Sequence, residues 1–395
     1  DRIVEEVRLE GEPALRRWAA SLGDLESECE PLLIGPEALR AALDGLDTDN
    51  RGVLERAADR IRSFAEAQRS SVRGFSEPIM GGRLVQEIAP VERAGCYAPG
   101  GRFPLPSSVL MTAVTARSAG VDRVVVASPR PAAATLAAAA LAGADAVLAV
   151  GGAQAVGAMA YGVAGLIDPC DAIVGPGNAY VTAAKQIVSG RVRIDMLAGP
   201  SELLVVADAD ADPRVVAVDL LAQAEHDTDA RPMLVATSAA LADAVDAEIT
   251  RQLGTLPTAD IARRACANGF TCVVGSLDAA AVVSDRVAPE HLEVHVADSS
   301  GFVDRLRHYG AAFVGWASAE VLGDYGVGPN HTLPTAGTAR SAGGLSVFDF
   351  LRIRTRIEID DADAAKAAIR DAAAFARIEG LEAHARSAES RLSDA

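Results

Sequence analysis

Arg123-Val124-Val125-Val126-Ala127, an alanine-rich run from Ala132 to Ala142, and then Ala146-Val147-Leu148-Ala149-Val150 decide the fold. The first and third segments are short, continuous apolar runs dominated by β-branched residues. The middle one has the length and composition of a helix. The unit then repeats: a helix from about Ala153, a strand at Asp171-Ala172-Ile173-Val174, and a helix from about Asn178. Strands buried on both faces and separated by helices define βαβ repetition, hence a parallel, doubly wound sheet.

Working outward, the pattern restarts at Glu202-Leu203-Leu204-Val205-Val206-Ala207. A helix over Val215–His226 follows, then a strand at Met233–Ala236, a helix at Leu241–Leu253 and a strand at Thr271–Val274. This predicts a second α/β unit. The first seventy-odd residues carry amphipathic helices, as in Glu37–Leu43 and Leu54–Ile61, and Arg93–Arg102 is a Pro/Gly-rich loop suited to a domain boundary. Asp361–Leu392 reads as helical and polar on one side, an appended arm more than a core element.

At 395 residues the chain is long enough for two or three domains, and its apolar half is mostly Ala, Val and Leu with only 4% aromatic residues, as helices layered on parallel sheets require. No apolar run reaches membrane-spanning length, and the charged start Asp1-Arg2-Ile3-Val4-Glu5-Glu6 has no secretory character, so a cytoplasmic location is expected. The chain begins at Asp1 without methionine, and residues are expected to precede it. Cys29, Cys96, Cys170, Cys266 and Cys272 lack CxxC spacing and are expected to be buried thiols. A net charge of −17 argues against nucleic acid as a partner. Only Lys185 and Lys366 are lysines and no GxxxxGK[ST] loop occurs, which disfavours Schiff-base and P-loop chemistry.

Chemistry concentrates in a few segments. In Leu220-Leu221-Ala222-Gln223-Ala224-Glu225-His226-Asp227 an amide and an imidazole three residues apart share a helical face, giving either a divalent-metal site or side chains that are merely solvated or satisfied in the core. Pro289-Glu290-His291-Leu292-Glu293-Val294-His295-Val296 alternates as a strand does. That disfavours His291 and His295 as a helical zinc pair and leaves Glu290 and His291 at a strand entrance, either as two titratable groups fit for two proton transfers or as a surface acid beside a strand His. Asp324 and His331 share the glycine-rich loop Leu322–Thr335, and Glu379 and His384 lie on the terminal arm. Two strands run into glycine turns, Val150-Gly151-Gly152-Ala153-Gln154 and Val174-Gly175-Pro176-Gly177-Asn178. Each is either a dinucleotide cradle or a tight connection, and neither is a full GxGxxG.

Together with Ala198-Gly199-Pro200-Ser201-Glu202-Leu203, these motifs resemble those of the histidinol dehydrogenases, in order and spacing, over nearly the whole chain. The resemblance implies a zinc-bound homodimer that oxidises L-histidinol to L-histidine through the aldehyde with two NAD, at the end of histidine biosynthesis. It implies zinc held by Gln223, His226, Asp324 and His384, the last from the other subunit. His291 would be the base for alcohol oxidation and Glu290 the base for aldehyde hydration. Ser201, His331 and Glu379 would join His291 and the zinc ligands in contacting substrate, and Tyr97, Gln154 and Asn178 would contact NAD. The implied fold is two incomplete Rossmann-like domains, residues 24–95 with 203–345 and residues 96–202, flanked by a helical segment at 1–23 and a dimerisation arm at 346–395. Three other readings compete: a paralogous zinc/NAD dehydrogenase for another polar alcohol, a thiol-dependent aldehyde dehydrogenase using Cys96 or Cys170, and a non-enzymatic metal-binding scaffold.

Overall fold

The computed structural model describes residues 1–25, 27, 30–100 and 104–392. Cys29 and Arg102 lie outside the described residues. The chain forms two compact units, one from residues 1–67 and 91–350 and one from residues 68–90 and those from 351 onward.

The first unit holds two doubly wound sheets. One has the strand order Leu33–Ile34, Ala146–Leu148, Arg123–Ala127, Arg93–Tyr97, Ala172–Val174, Arg193–Ile194, parallel throughout except for the short Leu33–Ile34 edge. The chain winds outward from Arg93–Tyr97 through two strands and then returns to lay Ala172–Val174 on its other side, so the winding reverses between Tyr97 and Val174. Helices Arg2–Glu10, Glu12–Ser21 and Gly152–Tyr161 bury Val4, Leu15, Met159 and their neighbours against Leu148 and Ile173.

The other sheet is wholly parallel, in the order Phe270–Val273, Arg231–Ala236, Glu202–Ala207, His291–His295, Ala311–Val314. Its winding reverses between Glu202–Ala207 and His291–His295. The register pairs His291, Glu293 and His295 with Leu203, Val205 and Ala207, so these six share one face, the one on which helix Pro213–Ala224 packs through Val216, Ala217 and Leu220. Leu292 and Val294 face the other way into a core with Phe302.

The second unit is an antiparallel sheet, Leu351–Ile359 beside Gly82–Pro90 beside Phe75–Ile79, with helices Lys366–Ile378 and Glu382–Glu389 that close on Ala373, Ala376 and Ala385. Much of its apolar surface is bare: Ile357, Phe375 and Ile378 are 72%, 63% and 82% exposed.

Four expectations need correction. Strands Leu33–Ile34 and Arg93–Tyr97 join the sheet of residues 96–202, because their hydrogen-bond partners are Ala146–Leu148, Arg123–Ala127 and Ala172–Val174. Residues 75–90 pair with the C-terminal segment, so they do not complete the domain of residues 203–345. The arm opens on a strand, and its helix is broken at Gly380, whose φ of +77° ends Lys366–Ile378 and starts a second helix. Helix Pro213–Ala224 stops short of His226, where Asp227 caps a turn by accepting the Asp229 N–H.

Candidate active site

The site gathers at the N-terminal edge of the second sheet. Asp212 caps helix Pro213–Ala224, Pro213 starts it, and its last turn carries Gln223 to the edge. Gln223 is fully buried, yet neither its amide oxygen nor its amide nitrogen has a hydrogen-bond partner among the described residues. Leaving a buried polar atom unpaired costs about 1–3 kcal/mol, so two on one side chain mark a place built for something else to bind. Three residues on, the half-exposed His226 lies 3.3 Å through Nε2 from Asp324 Oδ2. Asp324 ends the short helix Glu320–Asp324 and stands one turn from the buried Glu320, and His226, Glu320 and Asp324 each offer a ligand atom within 4.8 Å of the others. Nitrogen and oxygen donors around an unpaired amide fit a zinc ion. Burial alone raises the Asp324 carboxyl, but the bond to His226 and the nearby His331 and His291 outweigh it and hold it below the usual range. The same bond raises His226.

His291 is buried at the start of its strand. Its Nδ1 lies 3.1 Å from the Glu202 carbonyl, an acceptor, so Nδ1 carries the proton and Nε2 keeps a free lone pair. Burial pushes its pKa down to about 4, leaving the ring uncharged at neutral pH. The adjacent Glu290 accepts the Glu202 N–H through Oε2 at 2.8 Å, and burial raises its carboxyl well above the ordinary value. The backbone N–H and C=O of one residue of the neighbouring strand, Glu202, thus orient both groups. His331 shares the edge, with Nδ1 3.1 Å from the Asp324 carbonyl and Nε2 3.4 Å from Ser108 Oγ. Ser201 directly precedes Glu202, and its carbonyl accepts the Arg231 N–H.

Sequence reasoning missed two participants. Glu320 puts Oε1 3.5 Å from His291 Nδ1, and its four-residue spacing from Asp324 was the available signal. Glu202, nearly fully buried, bonds Arg231 and the Ala336 N–H and is raised by burial, and nothing in its own strand pattern distinguished it.

Tyr97, Gln154 and Asn178 lie elsewhere, each at or beyond a C-terminal strand end of the first sheet, with Tyr97 and Asn178 at the two strands between which its winding reverses. Tyr97 OH accepts the Gly152 N–H at 3.0 Å, Gln154 Nε2 donates to Asp24 at 3.0 Å, and the Asn178 side chain caps helix Ala179–Val188. Gln154 Oε1 is buried and unpartnered among the described residues. Gly175, at φ +116°, approaches Tyr97 so closely that a Cβ would meet its carbonyl oxygen at 2.0 Å, so the second glycine turn is a steric necessity whatever else it does. Lys185 is locked in a buried pair with Asp195 and donates to the Gly175 carbonyl.

Glu379 and His384 belong to the second unit, Glu379 capping helix Lys366–Ile378 and His384 in the first turn of Glu382–Glu389, both exposed. Cys96 and Cys170 are buried free thiols, pushed up to about 12 by desolvation, which disfavours the thiol-nucleophile reading. Cys266 and Cys272 are free but only partly buried. Among the described residues no helix is long and apolar enough to cross a membrane.

The histidinol dehydrogenase family model matches residues 1–392. The histidinol dehydrogenase of Thermus thermophilus is 45% identical over 390 residues, covering 98% of this chain and 93% of that one. The Pseudomonas aeruginosa histidinol dehydrogenase is 45% identical over 398 residues, covering 99% and 90%. A crystal structure of histidinol dehydrogenase from Elizabethkingia anophelis superposes with a TM-score of 0.92 at 33% identity, over 100% of this chain and 91% of that one. A match of this extent in sequence and fold makes the chain an oxidoreductase of the histidinol dehydrogenase family.

Proposed function

We propose that the chain oxidises L-histidinol to L-histidine through L-histidinaldehyde in the last steps of histidine biosynthesis, as a cytoplasmic homodimer that uses zinc and two NAD in succession. The observation that carries the reading is the buried, unpaired amide of Gln223 beside the His226–Asp324 pair. Gln223, His226 and Asp324 would hold the zinc together with His384 of the partner subunit. When bound, zinc supplies positive charge that orients the substrate's imidazole and amine, and NAD supplies the hydride acceptor.

The remaining work falls to side chains. His291, uncharged and with Nε2 free, accepts the alcohol proton at that atom as the first hydride leaves. Glu290, its orientation fixed by the Glu202 N–H, takes a proton from the water that adds to the aldehyde, and its raised pKa makes it a stronger base than an ordinary carboxylate. Ser201 and His331, with Glu379 of the partner subunit, would contact the substrate. Tyr97, Gln154 and Asn178 would contact NAD, a role supported by their place at the C-terminal strand ends, Tyr97 and Asn178 at the winding reversal itself. The bare apolar surface of the second unit supports a subunit contact there, and Glu379 and His384 stand exposed on that unit.

Purified protein given L-histidinol should reduce two NAD per substrate consumed and lose that activity to a chelator. One NAD per substrate, or full activity after metal removal, overturns the proposal.

A further inference from the structure

Beside the proposed zinc ligands lies a second titratable cluster that the reading above leaves unused. Asp219, Glu293 and His295 are buried, with one donor atom each within 4.8 Å of the others. His295 Nε2 stands 3.4 Å from Glu293 Oε2 and 3.8 Å from Asp219 Oδ2. The other oxygen, Glu293 Oε1, accepts the Glu320 N–H at 2.6 Å. The cluster therefore links three of the elements that deliver the site. Asp219 lies one helical turn before Gln223, Glu293 and His295 share the strand face of His291, and Glu320 opens the helix that ends in Asp324.

We propose that Glu293, with His295 and Asp219 behind it, is a positioning group for the metal ligands, clamping the Asp324 helix against the His291 strand and the Gln223 helix. Apolar side chains would hold these elements together at least as firmly, since burying charged groups costs more than it returns unless every partner is in place. What they would not supply is a directional acceptor for the Glu320 N–H, and direction is what a ligand four residues further along needs. Oε1 is committed to that N–H while Oε2 faces His295, so Glu293 joins the cluster to the helix of Asp324 directly. The inference rests on the zinc reading above.

The test loads wild type, Glu293→Ala, Glu293→Gln and His295→Leu with zinc and follows its release into excess EDTA, with zinc per subunit, Tm, kcat and KM alongside. Glu293→Ala should release zinc about 10–100-fold faster, the usual cost of losing an outer-shell partner. Glu293→Gln keeps an oxygen for the Glu320 N–H and should stay within about threefold of wild type. Should Glu293→Ala fail to fold, His295→Leu takes its place and should release zinc faster at unchanged stoichiometry. Wild-type release rates in the folded variants, with only Tm lowered, overturn the positioning role. So does a second equivalent of zinc that vanishes in His295→Leu, because the cluster would then be a site itself. A wild type that takes up no zinc overturns the zinc reading instead, which keeps the two failures apart.

Discussion

The two parallel sheets of the first unit are built alike and used at opposite edges. In the first sheet, Tyr97, Gln154 and Asn178 collect at the C-terminal strand ends, where the following helices begin. In the second, Glu202, Glu290 and His291 collect at the strand starts, where helices Pro213–Ala224 and Leu277–Val287 finish. Helix N-termini favour anions and C-termini favour cations. The first edge thus suits a dinucleotide's phosphates, and the second a metal ion and an amine. The edges also differ in what is already spent. At the first, the Gly151 N–H, the Gly152 N–H and Lys185 are occupied by Asp24, Tyr97 and Asp195. At the second, the Gln223 amide and a Glu320 oxygen have no hydrogen-bond partner among the described residues. Each edge therefore keeps a buried amide with an unpaired atom, Gln154 Oε1 at the first and both polar atoms of Gln223 at the second, but at the first edge the charged and backbone groups around it are already paired.

This contrast predicts a separation of stability from function. His226 is half-exposed and its side chain pairs with another proposed ligand, Asp324, so His226→Ala should abolish zinc binding and cut activity by about three orders of magnitude or more with little change in Tm. Elemental analysis showing full zinc in that variant would break the contrast at its strongest point. Lys185→Met should do the reverse. It strands the Asp195 carboxylate in a buried site, which costs about 3–5 kcal/mol in denaturant unfolding, while zinc content and turnover per folded molecule stay near wild type.

Glu290→Gln should keep the first hydride transfer and lose about 10²-fold in overall turnover, because only hydration needs that carboxylate. Single-turnover absorbance with both hydrides arriving at native rates would remove the assignment. Mixing inactive His226→Ala and His384→Ala subunits should return up to about half the activity per heterodimer, since both lesions then fall in one site and spare the other. No recovery with heterodimers present would mean each arm serves its own subunit.

The smallest effect is on pH. His291 titrates near 4, so it stays in its base form across about pH 6–9 and the alcohol step should be flat there. Glu290 is raised by burial, so as pH falls the aldehyde step should lose rate earlier, at higher pH, than a step served by an ordinary carboxylate. Identical profiles for L-histidinol and L-histidinaldehyde would count against the two-base scheme.

The sequence alone determined the two parallel sheets, because runs such as Val124-Val125-Val126 and Leu203-Leu204-Val205-Val206, separated by alanine-rich helices, leave few other ways to bury so much apolar surface. It also marked Gln223, His226, Glu290, His291, Asp324 and His331 as residues of interest, and tertiary structure brings them to one edge. The antiparallel sheet of the second unit escaped notice, although Arg352, Arg354 and Arg356 alternate with Ile353, Thr355 and Ile357, because the partner strand lies more than 260 residues away and local pattern does not name a distant partner. Only the fold decided that Glu202 would orient both bases, that Glu320 would stand against His291, and that Gln223 would be buried without a partner. Periodicity fixes which face a side chain takes, whereas hydrogen-bond satisfaction is settled by neighbours that only folding assembles.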